Sequence, residues 1–323
     1  MKLATGRIGD RDTVLSQNTD GHLVDVGFVA RQPKLSMREL IELDPTSRGH
    51  LLDRVRHATH EAVVSIDEIT WRPPILTPSK IVGVALNNDV FNYLASRKMN
   101  APMYFLSPST AMTGHRGAIR IDPAWGLVHP EPELAAVIGT EMKNVAPEKV
   151  LDAIFGYTII NDVTSPGLKA DDSVELVMPE GFDVNEPWRT MRGPQDTSLY
   201  LTYHARSKGT DTFAPIGPWI TLAHSVPDPN ALGVRGYLDD ELVLEDSTAN
   251  LTFSIETVLA HLSQSMTLLP GDIVHFGTAA RPTRPDRFPT IRSIDLSQFG
   301  GTVSIEIDTL GRLDNSICRS SNP

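Results

Sequence analysis

Residues 129–139 read His-Pro-Glu-Pro-Glu-Leu-Ala-Ala-Val-Ile-Gly, and the inference of fold and site starts from this stretch. The apolar run at residues 134–138 is bounded by Gly139 and predicts a short strand. In an extended chain, residues two apart point to the same side. Glu131 and Glu133 can therefore present both carboxylates to one point in space.

A third carboxylate, Asp162, follows a second predicted strand. That strand is the apolar run at residues 157–160, which is followed by Asn161 and Asp162. Three carboxylates, without cysteines or an evident set of histidine ligands, favour a hard cation such as Mg²⁺, Mn²⁺ or Ca²⁺. The same spacing is also typical of a solvated strand edge, and burial distinguishes the two, because buried unpaired carboxylates require a cation.

Short apolar runs predict further strands, and periodic runs predict a few helices. The predicted strands are residues 81–85, 199–203, 273–276 and 303–307. The predicted helices are residues 36–43, 47–62, 148–154 and 253–266. Residues 165–197 show little periodicity and are expected to form a long surface excursion.

A proline-rich segment indicates a domain boundary. Prolines at positions 73, 74 and 78 exclude regular helix and a central strand there. We expect a small N-terminal domain at residues 1–76 and a larger, β-dominated domain at residues 77–323, which together make an α+β protein.

The composition is that of a globular chain rather than a disordered one. Its 323 residues are 40% hydrophobic and carry a formal net charge of −11, which disfavours nucleic acid and anionic membranes as partners. The single cysteine, Cys318, excludes an intrachain disulfide and suits a reducing compartment, so a cytoplasmic location is expected. We expect neither a signal peptide nor a transmembrane helix.

Several common catalytic motifs are absent from the sequence. There is no glycine-rich dinucleotide fingerprint, no phosphate loop, no His-Glu-x-x-His and no Gly-x-Ser-x-Gly. Nucleotide, zinc-protease and serine-hydrolase chemistries therefore lack their usual sequence support.

Four ordered segments resemble the fumarylacetoacetate hydrolase superfamily, and the resemblance covers residues 78–317. The segments are residues 130–134 (Pro-Glu-Pro-Glu-Leu), 156–162 (Gly-Tyr-Thr-Ile-Ile-Asn-Asp), 208–218 (starting Lys-Gly-Thr-Asp) and 269–273 (Leu-Pro-Gly-Asp-Ile) with 277–278 (Gly-Thr). The resemblance implies a mixed β-roll or β-sandwich catalytic domain, a smaller α/β N-terminal domain and a homodimer.

The resemblance also implies a chemistry. Members bind Mg²⁺, Mn²⁺ or Ca²⁺ through residues that match Glu131, Glu133 and Asp162. They act on 2-oxo acids or 1,3-dicarbonyls through a metal-stabilised enolate, and hydrolytic C–C cleavage is the expected reaction. Lys208 would hold developing negative charge. Gly277 and Thr278 match the substrate-contacting Gly-Thr of the family.

One part of the family pattern is missing. Phe91 and Leu94 stand where hydrolytic members have the His and Glu that activate water. A looser likeness to the branch that dehydrates 2-oxo-3-deoxy sugar acids supports an alternative, a 2-oxo acid lyase or isomerase (dehydratase, hydratase, decarboxylase or tautomerase). A non-catalytic 2-oxo acid binding protein is a third hypothesis.

Other residues are candidates with ordinary alternatives. His115 is a candidate substitute base, although loop histidines are commonly structural. Asn87 and Arg281 are candidate substrate-binding residues, Arg281 for a distal carboxylate. We also considered His129 as a group that orients a ligand, Asp89 as a base, Arg284 as a carboxylate partner, and Tyr93 and Trp188 as pocket walls.

Overall fold

The computed structural model describes residues 1–93, 95, 99–177 and 198–319. Within these ranges the chain forms an eleven-stranded sheet, a five-stranded sheet and a two-stranded ribbon, together with short helices, so the α+β class is confirmed. The predictions for Leu94 and Trp188, and for the side chain of Tyr93, lie outside the described residues. None of the helices in these ranges has the length and apolar content needed to cross a membrane.

The elements are named here in chain order. The strands are β1 Lys2–Ile8, β2 Arg11–Gln17, β3 Leu23–Asp25, β4 Ile69–Arg72, β5 Ile81–Ala85, β6 Met103–Ser107, β7 Met112–Thr113, β8 Ala118–Ile121, β9 Pro132–Ile138, β10 Ile154–Asn161, β11 Ser173–Val177, β12 Ser198–Thr202, β13 Ala214–Leu222, β14 Gly233–Leu238, β15 Glu241–Ser247, β16 Ile273–His275, β17 Thr302–Ile307 and β18 Gly311–Arg319. The α-helices are α1 Val26–Ala30, α2 Met37–Glu42, α3 Pro45–Arg56, α4 Pro166–Asp171, α5 Ala205–Gly209 and α6 Ile255–Ser265.

Strand β9 lies in the middle of the large sheet. Nine of its strands follow the order β3-β2-β1-β13-β10-β9-β16-β5-β6, and the other two, β4 and β7, pair with β1 and β13. Every residue of β9 is buried. A strand that is covered on both faces has a continuous apolar sequence rather than an alternating one, which explains the run at residues 134–138.

The two faces of β9 contribute to two different cores. Leu134, Ala136 and Ile138 belong to the core that also contains residues of the five-stranded sheet (β15-β14-β17-β18-β8) and of α6. Ala135 and Val137 belong to the core that contains residues of α2 and α3. The period of two along a strand therefore divides the apolar run between two layers.

The N-terminal residues join the same sheet as the rest of the chain. In β1, Leu3 pairs with Ile220 of β13, and β4 pairs with β1. Leu3 and Ile220 share one core with Ala135 of β9. The division into residues 1–76 and 77–323 stays a prediction, and the hydrogen-bonded sheet is continuous across it.

One predicted helix was wrong, and the described part of the predicted surface excursion contains regular structure. The helix predicted at residues 148–154 is instead a pair of 3-10 turns, Pro147–Lys149 and Leu151–Ala153, because Ile154 already pairs with β9 as the first residue of β10. The predicted excursion contains α4, which starts at Pro166 after the Ser165 cap, and β11, which pairs with β12. Residues 178–197 lie outside the described residues.

We predict that Leu3→Ala lowers the free energy of unfolding by about 2–5 kcal/mol, because Leu3 is fully buried and its truncation leaves a cavity in the core shared by the large sheet, α2 and α3. Urea denaturation followed by circular dichroism measures this difference. The control is Phe28→Ala, because the side chain of Phe28 is exposed, and this variant is expected to change stability by less than about 0.5 kcal/mol. A change of similar size in both variants would contradict a buried role for β1.

Candidate active site

A cavity of about 650 Å³ opens beside the central strands of the large sheet. Its wall contains residues from the predicted site together with residues that the sequence did not single out. The charged, polar and aromatic members include Phe91, Phe105, His129, Glu131, Glu133, Lys169, His204, Lys208, Thr278 and Arg292.

The three predicted carboxylates come together at one edge of neighbouring strands. Glu133 lies in β9 opposite Ile160 of β10, and Asp162 follows the last residue of β10. The backbone N–H of Asp162 donates to the carbonyl of Glu131 at 2.9 Å. Glu133 and Asp162 are each 2% exposed, so the interpretation as a solvated strand edge does not apply.

Lys208 is the cation that faces these carboxylates. It lies on α5 and is itself buried. Its Nζ donates to Oε2 of Glu131 at 2.6 Å and to Oδ2 of Asp162. The ring centroid of Phe105 lies 5.1 Å from Nζ, which adds a cation–π contact on the apolar side.

Burial and the neighbouring charges shift the pKa values of this cluster. Burial raises the pKa of Asp162 to about 7, although Lys208 and His275 act in the opposite direction, and Glu133 and Glu131 add smaller increases. Burial would also raise the pKa of Glu131, but Lys208 lowers it to about 2. Burial would lower the pKa of Lys208, and the carboxylates of Asp162 and Glu131 raise it instead.

A buried histidine that the sequence analysis did not single out completes the cluster. Oε2 of Glu133 accepts from Nδ1 of His275 at 2.6 Å and from the backbone N–H of Gly277 at 2.7 Å. Glu133, Asp162 and His275 each offer one ligand atom, and these atoms lie within 4.8 Å of one another. The available signal was a single polar residue inside the otherwise apolar predicted strand at residues 273–276.

Two further histidines line the cavity. His129 is 1% exposed, and its Nδ1 lies 3.7 Å from Oε1 of Glu131. Burial lowers the pKa of His129 to about 4, and Lys208 contributes to this decrease. Burial, together with the charges of Lys169 and Lys208, also lowers the pKa of His204. Both imidazoles are therefore neutral near pH 7.

The structure does not bring His115 to this cavity. Nδ1 of His115 accepts from the backbone N–H of Asp314 at 3.0 Å, and the ring makes an edge contact with Trp71. It lines a separate cavity of about 450 Å³ next to β4. The sequence could not distinguish these places, because the loop before β8 is positioned by pairing of β8 with β18.

Asn87 and Arg281 have structural partners instead of facing the cavity. Nδ2 of Asn87 donates to the carbonyls of Phe253 and Phe276, and the residue is fully buried. Arg281 forms ion pairs with Asp89 and Asp246. These bonds hold the loop after β16 in place. They explain why Asn87 and Arg281 lie near Gly277 without facing the cavity.

The remaining candidates are placed as follows. Thr278 lines the cavity, and its hydroxyl donates to the carbonyl of Ala279. Gly277 has a φ of 102°, which disfavours any other residue, and a Cβ there would lie 2.8 Å from Cβ of Asn87. Arg284 pairs with Glu241 on the surface.

We predict that His129→Asn removes a loss of stability at acidic pH. The unfolded histidine binds a proton below about pH 6.5, whereas the folded one stays neutral until about pH 4. The free energy of unfolding therefore falls with decreasing pH across this window, by about 2 kcal/mol between pH 7 and pH 5. Urea denaturation at both pH values measures the difference. His224→Asn, at an exposed histidine, should keep the wild-type difference, and equal behaviour of both variants would contradict the assignment.

Comparison with known proteins gives consistent similarities. A family model for the fumarylacetoacetate (FAA) hydrolase C-terminal domain matches residues 80–318. An uncharacterized protein of Archaeoglobus fulgidus is 31% identical over 254 residues, which are 78% of this chain and 84% of that protein. The mitochondrial oxaloacetate tautomerase fahd2 of Xenopus laevis is 25% identical over 92% of this chain and 83% of its own length.

A solved structure shows the same fold. It is the maleylpyruvate hydrolase of Sphingobium sp. SYK-6 in complex with manganese(II) and pyruvate, with a TM-score of 0.69 and 23% identity. The similarity covers 99% of this chain and 100% of that one. The expected fold type is therefore confirmed.

Proposed function

Because the chain belongs to the fumarylacetoacetate hydrolase family, we propose that it is a divalent-metal-dependent enzyme that removes a proton from the carbon beside the carbonyl of a 2-oxo acid. A tautomerase or isomerase then returns the proton to a different atom. One observation carries this proposal: buried carboxylates and a protonated Lys208 share one cavity with two neutral histidines.

The carboxylates at and beside the cavity wall fit a divalent ion. Glu131, Glu133 and Asp162 are oxygen donors of the kind that Mg²⁺ and Mn²⁺ prefer. Burial raises the pKa of Asp162, and a bound cation would favour its ionised carboxylate. These three residues would hold the ion, which supplies a Lewis acid that stabilises negative charge on a carbonyl oxygen.

Lys208 binds and stabilises the anionic form of the substrate in this proposal. Its ammonium group is held by Glu131 and Asp162 and is protonated at neutral pH. A fixed ammonium in a buried site stabilises developing oxyanion charge without reorganisation. It serves as a donor, and its raised pKa makes it a poor proton acceptor.

His204 is the proton acceptor that the wall of the cavity offers to a substrate. It lies four residues before Lys208, and the backbone N–H of Lys208 donates to its carbonyl. Its neutral imidazole can accept a proton near pH 7. The ring of Phe91, beside the guanidinium of Arg292, is in the same wall and cannot activate water. This arrangement favours proton transfer over hydrolysis.

Hydrolytic C–C cleavage is the second candidate. It is supported by the proximity of His129 to Glu131, 3.7 Å between Nδ1 and Oε1, because a histidine beside a carboxylate can deprotonate water. Hydrolysis gives two acids, whereas tautomerisation and isomerisation leave the carbon skeleton whole. The other lyase reactions, loss of water or of carbon dioxide, are recognised by the mass of the product.

We predict that the enzyme exchanges the C3 proton of 2-oxo acids for deuterium. Oxaloacetate, acylpyruvates and 2-oxo-3-deoxy sugar acids are incubated in D₂O with Mg²⁺ or Mn²⁺, and exchange is followed by proton NMR. His204→Gln is expected to lower the exchange rate by about 10²–10⁴-fold, because the proton acceptor is lost. His224→Gln is the control and keeps the wild-type rate. If the substrate is instead cleaved into two acids without exchange, the result would support hydrolytic C–C cleavage.

We predict that Lys208→Met lowers kcat by about 10²–10³-fold, because one fixed donor to the oxyanion is removed. Lys149→Met is the matched control at an exposed lysine, and it should leave kcat unchanged. Steady-state kinetics with the substrate identified by the exchange assay measures both. An unchanged kcat in Lys208→Met would remove Lys208 from the mechanism.

Three further statements from the sequence stay predictions under this proposal. The chain is expected to form a homodimer, to reside in the cytoplasm and to act on a small molecule rather than a nucleic acid. The formal charge of −11 supports the last of these, because it repels polyanions.

A further inference from the structure

We propose that His275 is a nitrogen ligand of the metal site and makes the site select Mn²⁺ over Mg²⁺. This inference rests on the metal dependence in the proposed function and adds a residue to it.

His275 lies among the carboxylates because of its place in the sheet. Strand β16 is between β9 and β5, and β10 is on the other side of β9. His275 is two residues from Ile273 and Glu133 is four residues from Val137, so each lies on the same face as its apolar strand neighbour. Ile273 and Val137 belong to one core, which places His275 and Glu133 on the same face of the sheet. The adjacent strands β10, β9 and β16 therefore place Asp162, Glu133 and His275 on one face of the sheet.

Gly83 leaves room in the sheet for the imidazole of His275. Gly83 of β5 is the direct partner of His275 in the parallel register. A Cβ at Gly83 would lie 2.6 Å from Cε1 of His275 and 2.1 Å from Cζ of Phe105. The ring of Phe105 makes an edge contact with His275 at 5.5 Å between centroids. The ring pocket is thus built by two further strands.

The spacing of the ligand atoms suits a single ion. The atoms of Glu133, Asp162 and His275 lie within 4.8 Å of one another. This is about the span of two metal–ligand bonds of roughly 2.0–2.3 Å each. Oε2 of Glu133 already accepts from the N–H of Gly277, so it has a donor without the imidazole.

A role in packing alone does not explain a histidine here. The residue is fully buried, and its Nε2 has no hydrogen-bond partner among the described residues. A buried polar atom without a partner costs about 1–3 kcal/mol, which an aliphatic side chain of similar volume avoids. A bond between an imidazole nitrogen of His275 and a metal ion held with Glu133 and Asp162 would offset that cost.

The nitrogen donor determines the choice of ion. Carboxylates alone suit Mg²⁺, Ca²⁺ and Mn²⁺, and Mg²⁺ retains its water ligands in preference to imidazole. First-row transition ions bind imidazole better than Mg²⁺ does, and among them Mn²⁺ is the ion best suited to a site made mostly of carboxylates. His275 therefore favours Mn²⁺ over Mg²⁺ within an otherwise oxygen-based site.

The test measures metal binding without substrate. Affinities for Mn²⁺ and Mg²⁺ are determined by calorimetry for the wild type, His275→Leu and His275→Gln, with His224→Gln as the control. We expect the Mn²⁺-to-Mg²⁺ affinity ratio to fall at least tenfold in both His275 variants and to stay unchanged in the control. Pulsed electron paramagnetic resonance of the Mn²⁺ form should show a ¹⁴N coupling that both His275 variants lose.

The two His275 variants distinguish a histidine that binds the metal ion from one that only orients the carboxylate of Glu133. The amide of His275→Gln can still donate to Glu133, so an unchanged ratio in this variant would show that His275 only positions that carboxylate and would overturn the proposal. Mn²⁺ bound without a ¹⁴N coupling in the wild type would also overturn it. Binding of neither ion would instead contradict the metal dependence of the proposed function, and so the two failures are distinct.

Discussion

The structure of the site depends on the charge balance among three carboxylates that the sheet buries together. Lys208 bonds to Glu131 and Asp162, while Glu133 is held by His275 and Gly277. Burial disfavours the charged form of Asp162 and raises its pKa to about 7, although Lys208 and His275 act in the opposite direction. In the proposed function a divalent ion would favour the ionised form of this carboxylate.

The large sheet makes this burial unavoidable. Its central strands are covered on both faces, by the five-stranded sheet and α6 on one side and by α2 and α3 on the other. Polar side chains on such strands are buried, as Glu133 and His275 are. The same layers exclude water from the reacting atoms, which strengthens each charge interaction inside the cavity.

The residues that the sequence analysis identified and those it missed differ in how their positions are determined. Glu131, Glu133, Lys208 and Thr278 line one cavity, and Asp162 accepts from Lys208 beside it. Each of these residues was part of a recognisable local motif. His204 and His275 were missed. A single polar residue in an apolar strand marks His275, but core histidines share that pattern, and His204 has no such signal. His115, Asn87 and Arg281 were proposed for the site, and their side chains are instead bound to backbone or to acidic partners.

The sequence by itself determined the strand periodicity, the helices α2 and α6 and the pair of carboxylates two residues apart, because these depend on neighbours along the chain. Only the tertiary structure decided that β16 lies between β9 and β5, which places His275 against Glu133 and opposite Gly83. Strand order is set by long-range packing and closure of the two cores, and no local pattern encodes it. The ligand set of the site is therefore a property of the sheet rather than of any single segment.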